Sequence, residues 1–164
     1  MPAIHACRIP NGLSSKVACA ALIQGLTALT FIRESYEAKK GDWILVHAAA
    51  GGVGLWLCQL LKAVGAKVIG TASSDKKRAL ALQNGAAYAL DSNANLVADI
   101  KEITGGQMLA AVYDGVGKAT FDTDLEVVGR KGSVVCFGNA SGPVEPVALK
   151  YIHLPSARVL DQKI

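Results

Sequence analysis

Trp43-Ile44-Leu45-Val46-His47-Ala48-Ala49-Ala50-Gly51-Gly52-Val53-Gly54 is the stretch on which the reading of this chain turns. Trp43 to His47 is a short run of strand-forming residues, and it stops at a turn rich in glycine. Leu55 to Val64 is apolar at helical spacing and closes on Gly65, a residue suited to the left-handed end of a helix. Strand, tight turn and helix therefore follow one another with no linker between them.

Working outward, the same unit recurs. Lys67 to Thr71 reads as a second strand, and Asp75 to Asn84 as a helix that Gly85 stops. A third strand is expected near Tyr88-Ala89-Leu90, then a helix over Asn95 to Ile103 and the turn Thr104-Gly105-Gly106. Leu109 to Tyr113 gives a fourth strand, Lys118 to Val128 a helix, and Ser133 to Phe137 a fifth strand. Upstream, Ser14 to Ala38 reads as one helix, kinked at Gly25. Downstream, Ala157 to Leu160 reads as a last edge strand. Strands alternating with helices imply right-handed crossovers and a parallel sheet covered on both faces. The predicted fold is doubly wound α/β, a Rossmann fold of about six strands, with residues 1–40 as a segment and helix packing on the sheet and 41–164 as the nucleotide-binding core.

Composition agrees with one folded unit. The 164 residues are 51% hydrophobic and 18% charged, which excludes a disordered chain. The apolar stretches Val17 to Leu26 and Trp43 to Ala50 are interrupted and fall short of a membrane span of roughly 20 residues, and Met1 to His5 has no features of a secretory signal. Cys7, Cys19, Cys58 and Cys136 are scattered, and His5, His47 and His153 form no paired spacing, so no metal site is expected. Reduced thiols and a cytoplasmic location fit this pattern. The net charge of +4 comes from short clusters such as Lys76-Lys77-Arg78 and gives no nucleic-acid footprint.

The glycine turn carries the chemistry. Two linked phosphates are held economically by backbone N–H groups at a helix N-terminus, which requires that side chains stay clear. Gly51 permits close approach of backbone to a pyrophosphate and Gly54 permits close packing of helix on strand, while Ala49 stands where the usual pattern has its first glycine. Gly52 and Val53 would supply N–H donors. At the end of the second strand an acidic residue would favour NAD. Here Thr71-Ala72-Ser73-Ser74-Asp75-Lys76-Lys77-Arg78 offers hydroxyls and cations instead. That favours NADPH, with Ser73 or Ser74 and Lys77 or Arg78 at the 2′-phosphate. The competing reading is a helix capped by Ser74 or Asp75 with a solvated first turn.

Gly41-Asp42, Leu45, Ala48 to Gly54, Gln59 and Lys62 resemble the signature of the zeta-crystallin-type quinone oxidoreductases, in the medium-chain dehydrogenase/reductase superfamily. Gln24 to Ala28, Lys101 to Gly106, Tyr113 to Gly117 and Phe137 to Gly142 extend the resemblance, which fades after Pro146. It implies a zinc-independent, NADPH-dependent reduction of quinones. It also implies roles for Thr27 beside the nicotinamide, Val53 at the pyrophosphate, Ser73 and Lys77 at the 2′-phosphate, and Phe137, Gly138 and Asn139 along the nicotinamide. On their own terms, Thr27 reads equally as a helical core residue, Phe137 as the end of a buried strand and Asn139 as a turn former.

The chain departs from that pattern in three places. Leu90-Asp91-Ser92-Asn93 lacks a tyrosine that many relatives carry near the adenine ribose. Asp114-Gly115-Val116-Gly117 replaces a serine by Gly115. An Arg-Pro expected near the last strand is not evident in Ala157 to Gln162. The resemblance further implies a β-rich, GroES-like catalytic domain that this sequence does not contain, so the chain is expected to bind NADPH without being catalytically complete. No catalytic residue is assigned, since Asp114 reads as a turn cap and His47 as packing on the first strand. Two other readings remain open: a non-catalytic module binding NADPH or RNA, and the cofactor domain of an enoyl or carbonyl reductase. A homodimer through the last edge strand is also expected.

Overall fold

A computed structural model describes residues 7–146 and 158–161. Its elements are α1 (Ser15–Thr30), β1 (Trp43–Val46), α2 (Gly52–Val64), β2 (Lys67–Ala72), α3 (Asp75–Gln83), β3 (Tyr88–Asp91), α4 (Leu96–Thr104), β4 (Leu109–Asp114), α5 (Phe121–Val127), β5 (Val128–Cys136) and β6 (Arg158–Asp161). The six strands form one sheet in the order β3-β2-β1-β4-β5-β6. Every neighbouring pair is parallel. This is the expected Rossmann fold, and its strand order reverses between β1 and β4.

Alternation along the strands sorts the core into two layers. Ile44, Val46, Val68, Ala111, Tyr113 and Val135 face one side, where they meet Leu57, Cys58 and Leu61 of α2 and Ala81 of α3. Leu45, Ile69, Val112 and Val134 face the other, against Leu96 and Ile100 of α4 and Phe121 and Val127 of α5. Burial pushes the Cys58 thiol up to about 12, as an inert core cysteine requires.

The N-terminal helix departs from the expectation. The α-helix ends at Thr30 and continues as a π-helical turn, Phe31–Ser35, which gives way to extended backbone at Tyr36. The Tyr113 hydroxyl donates to the Phe31 carbonyl at 3.2 Å, tying this turn to β4. With the π turn, Ser15–Ser35 is 21 residues of continuous helix, long and apolar enough by length and composition to cross a membrane. Gln24 and Gly25, which interrupt the apolar run in sequence, do not interrupt the helix. Ala28, Phe31 and Ile32 nevertheless enter the sheet's core, whereas Val17, Leu22, Ile23 and Leu26 remain 48–71% exposed.

Three boundaries also shift. α2 begins at Gly52, within the glycine turn. α5 begins at Phe121 because Gly117 to Thr120 forms a turn of its own, closed by the Thr120 N–H on the Gly117 carbonyl. β5 begins at Val128, ahead of the expected Ser133, and its register against β4 jumps between Leu109 and Ala111. Gly129, Lys131 at φ 65° and Gly132 make that irregular stretch unreadable as strand from propensity. β6 is an edge strand as expected, beginning at Arg158; Ala157 lies outside the described residues.

Candidate functional site

The turn after β1 is built from backbone. Ala48 sits in the left-handed region at φ 48°, unusual for a residue with a side chain. Its carbonyl accepts the Gly51 N–H at 2.8 Å, and the Ala49 N–H reaches the Thr71 carbonyl of β2 at 2.9 Å. Ala49 is wholly buried beneath the turn. A Cβ on Gly54 would lie 2.5 Å from the Ala48 carbonyl oxygen and 2.8 Å from the Ala49 Cα, so helix and turn touch as closely as backbone allows. A Cβ on Gly52 would collide with the Gln24 side chain, which places α1 against the start of α2. Gly51 caps the helix without a side chain, and the first bond into it runs from the Leu55 N–H. The N–H groups of Gly52, Val53 and Gly54 therefore have no acceptor among the described residues.

A cavity of about 360 Å³ opens where the strand order reverses. His47, Ala48, Ala50 and Gly51 line it from β1 and its turn, and Thr71, Ala72, Ser73 and Lys77 from the end of β2 and α3. Ser92 and Asn93 follow β3, and Val116, Ala119 and Thr120 follow β4. The residues with free N–H groups follow Gly51 of this lining directly in the chain, and Lys77 and Ser73 belong to the wall. Such a set suits an elongated anion with phosphates at two places.

The predicted residues divide between this cavity and its supports. Gly51, Ser73 and Lys77 line it. Gly52 and Val53 carry the unpaired N–H groups, while Ala49 and Gly54 form the packing that makes the turn possible. The Ser74 hydroxyl caps α3 by accepting the Lys77 N–H at 3.4 Å. Arg78 is engaged elsewhere: its guanidinium donates to the Asp91 carboxylate at 2.8 Å, to the Ala72 carbonyl at 3.2 Å and to Asp75. The Asn93 backbone N–H and the charge of Arg78 hold the Asp91 carboxyl below its ordinary range. Thr27 lies on α1 close in sequence to Gln24 and is half-buried. Phe137, Gly138 and Asn139 follow β5 outside the cavity. Phe137 packs on Phe31 with ring centroids 5.0 Å apart, and its N–H reaches the Asp114 carbonyl at 2.8 Å.

Asp114 does cap a turn, accepting the N–H groups of Val116 at 2.7 Å and Gly117 at 3.2 Å together with the Thr120 hydroxyl at 2.9 Å. His47 is buried directly after the first strand, and its ring nitrogens are both engaged. It is 1% exposed and held between polar partners, the Thr71 hydroxyl at 3.1 Å and the Asp124 carboxylate at 2.8 Å. Burial opposes its charged form, but the hydrogen bond and the attraction of Asp124, helped by Asp114, outweigh that and raise its pKa. Burial pushes Asp124 up to about 7. One sequence signal pointed to Asp124: it shares the spacing of the buried Phe121 and Val127 on the inner face of α5.

Comparison with known proteins places the chain among dehydrogenases. A family model described as zinc-binding dehydrogenase matches residues 52–162. The quinone oxidoreductase of Pseudomonas aeruginosa is 46% identical over 142 residues, covering 86% of this chain and 44% of that protein. The probable quinone oxidoreductase of Schizosaccharomyces pombe is 44% identical over 160 residues, covering 98% and 47%. Among solved structures, the quinone oxidoreductase of Escherichia coli complexed with NADPH superimposes with a TM-score of 0.92 at 40% identity, covering 96% of this chain and 49% of that one. The chain thus spans about half the length of the curated relatives it matches. The family's description implies zinc, but among the described residues no three His, Cys, Asp or Glu side chains gather as ligands, so the residues present do not fit that metal.

Proposed function

The chain belongs to the zinc-binding dehydrogenase family, and from that footing we propose that it is the NADPH-binding half of a zinc-independent quinone oxidoreductase. The observation that carries the reading is the cavity lined by Gly51, Ser73 and Lys77, with the three unpaired helix N–H groups directly after Gly51 in the chain. Backbone donors at Gly52, Val53 and Gly54 hold the pyrophosphate. Ser73 and Lys77 hold the 2′-phosphate, with Ser74 shaping the turn between them. Lys77 is the cation for this task, since Arg78 already balances Asp75 and Asp91. Thr27, Phe137, Gly138 and Asn139 flank the nicotinamide, which is the hydride donor when the cofactor is bound. Phe137 is kept in place from behind by Phe31.

The quinone is bound by the part of the relatives' length that this chain does not span. The purified 164-residue chain is therefore expected to bind NADPH and to fall far short of an ordinary turnover of about 1–1000 per second. Fluorescence titration tests the cofactor assignment, with NADPH binding at least about tenfold more tightly than NADH if Lys77 meets a phosphate. Equal affinities would reject it. A cytoplasmic location, and a homodimer made by joining two β6 edges across a two-fold axis, belong to the same reading. Sedimentation of the chain checks the dimer.

A second reading, reduction of another activated alkene, is supported by the 2-haloacrylate reductase of Burkholderia sp., 34% identical over 127 residues covering 77% of this chain and 38% of that protein. Fold likeness does not choose between substrates. Joining the chain to the remaining domain and comparing quinone with 2-haloacrylate turnover separates the two.

A further inference from the structure

Beneath the cavity lies a buried ionisable cluster that phosphate binding by backbone does not require. His47, Asp114 and Asp124 are at most 1% exposed and come from the residue after β1, from β4 and from α5. Thr71 from β2 completes the group on the other side of the imidazole, at 3.1 Å. His47, Thr71 and Thr120 line the cavity itself, so the cluster forms part of its floor.

The two carboxylates are not equally provided for. Asp114 takes two backbone N–H groups and the Thr120 hydroxyl. Among the described residues, Asp124 has one partner, the His47 Nε2 on Oδ1 at 2.8 Å, and its buried Oδ2 has none. A carboxylate oxygen left without a donor in a dry site is costly. A proton on Asp124 would remove that cost and supply a donor toward Asp114, the neighbouring carboxyl whose charge bears on Asp124.

Charge gives this arrangement a link to the ligand. Fully ionised, the cluster carries two negative charges against one positive, directly under a space that our reading fills with an anionic dinucleotide. Through a medium of low dielectric that excess repels the phosphates. One further proton neutralises it. The remaining charged group in the cavity lining is Lys77, on α3, while Asp114 and Asp124 are the groups whose charge acts on His47.

We propose that His47, Asp124 and Asp114 form a proton-linked floor of the dinucleotide site, which takes up a proton at Asp124 when the anionic cofactor binds above it. The proton comes from solvent and stays on the cluster while the ligand is bound. No bond in the ligand changes. His47 and Asp124 are then positioning residues that also make affinity depend on pH. The inference rests on the dinucleotide reading above.

Calorimetry of NADP⁺ binding at pH 7.5, in two buffers of different ionisation enthalpy, counts the protons exchanged. Wild-type protein is expected to take up a larger fraction of a proton than Asp124→Asn, which keeps an oxygen toward His47. Protons exchanged by the ligand's own 2′-phosphate enter both measurements and cancel in the difference. The affinity of wild type should also weaken more steeply than that of the variant between pH 6.5 and 8.5, by up to about tenfold per pH unit for one whole proton. Equal proton uptake by the two proteins overturns the proposal. Should Asp124→Asn fail to fold, the His47 imidazole of wild type, followed by NMR, must titrate at higher pH with NADP⁺ than without it; an unchanged titration overturns the proposal equally. Absence of NADP⁺ binding by folded wild type would instead defeat the dinucleotide reading, and the proton linkage with it.

Discussion

The two turns that border the cavity are made in opposite ways. The β1–α2 turn, Ala48 to Gly54, works through backbone: a left-handed alanine, buried Ala49 and a glycine in contact with main-chain atoms. The β2–α3 turn, Ala72 to Arg78, works through side chains: Ser74 caps, Arg78 clamps Asp75 to Asp91, and Lys77 and Ser73 face the cavity. In the first, shape and binding share the same atoms, so no residue can change without affecting both. In the second they are divided among different residues. Cofactor preference can therefore be retuned at the second turn while the fold rests on the first.

Gly54→Ala should break this contrast most severely. Its Cβ meets backbone atoms of Ala48 and Ala49 that cannot swing aside, so urea unfolding should show a loss of about 3 kcal/mol, with NADPH binding lost as well. A substitution that weakened binding and left stability intact would show that the first turn is separable after all.

Titration should act next, on the buried pair of His47, which precedes the first turn, and Asp124 of α5. Asp124 is raised from 3.8 to about 7, and His47 is raised above 6.5. For both groups the folded state binds protons more tightly than the unfolded state. Stability is thus greatest on the acid side of this window. It should fall as pH rises from about 4 through 7 and beyond the raised His47 value. Chemical denaturation at a series of pH values checks the sign, and Asp124→Asn should flatten the curve.

Lys77→Ala probes the second turn and should lower NADPH affinity by about tenfold while leaving NADH affinity and the unfolding midpoint nearly unchanged. Arg78→Ala should have the smallest effect on the NADPH-to-NADH ratio, because that guanidinium is already engaged by Asp75 and Asp91. A ratio that collapsed in Arg78→Ala and survived Lys77→Ala would reverse the assignment of the two cations.

What could be read from sequence follows the same division between local and distant. The glycine turn was legible because strand, turn and helix are contiguous. The five crossover strands were legible because their apolar runs are short and bounded. The engagement of Arg78 was not legible because its partner Asp91 stands thirteen positions away, at the end of β3. The His47–Asp124 pair joins residues 77 positions apart. Neither residue is marked by its neighbours, apart from the spacing of Asp124 with Phe121 and Val127. Gln24 was quoted within a family segment, yet its place over Gly52 depends on how α1 crosses α2. The early start of β5 was hidden by Gly129, Lys131 and Gly132, which disguise a strand held by its neighbours and not by propensity.

The strand order also dictates a timetable. β1 lies inside the sheet, with β2 then β3 to one side and β4, β5 then β6 to the other. Each strand, as it leaves the ribosome, finds an open edge already waiting and never has to be inserted between two strands already joined. Crystallising outward from its first strand, the sheet can assemble the cradle for the pyrophosphate as soon as α2 and β2 have been made. Of the described strands, the one at the far edge, β6, is also the last in chain order.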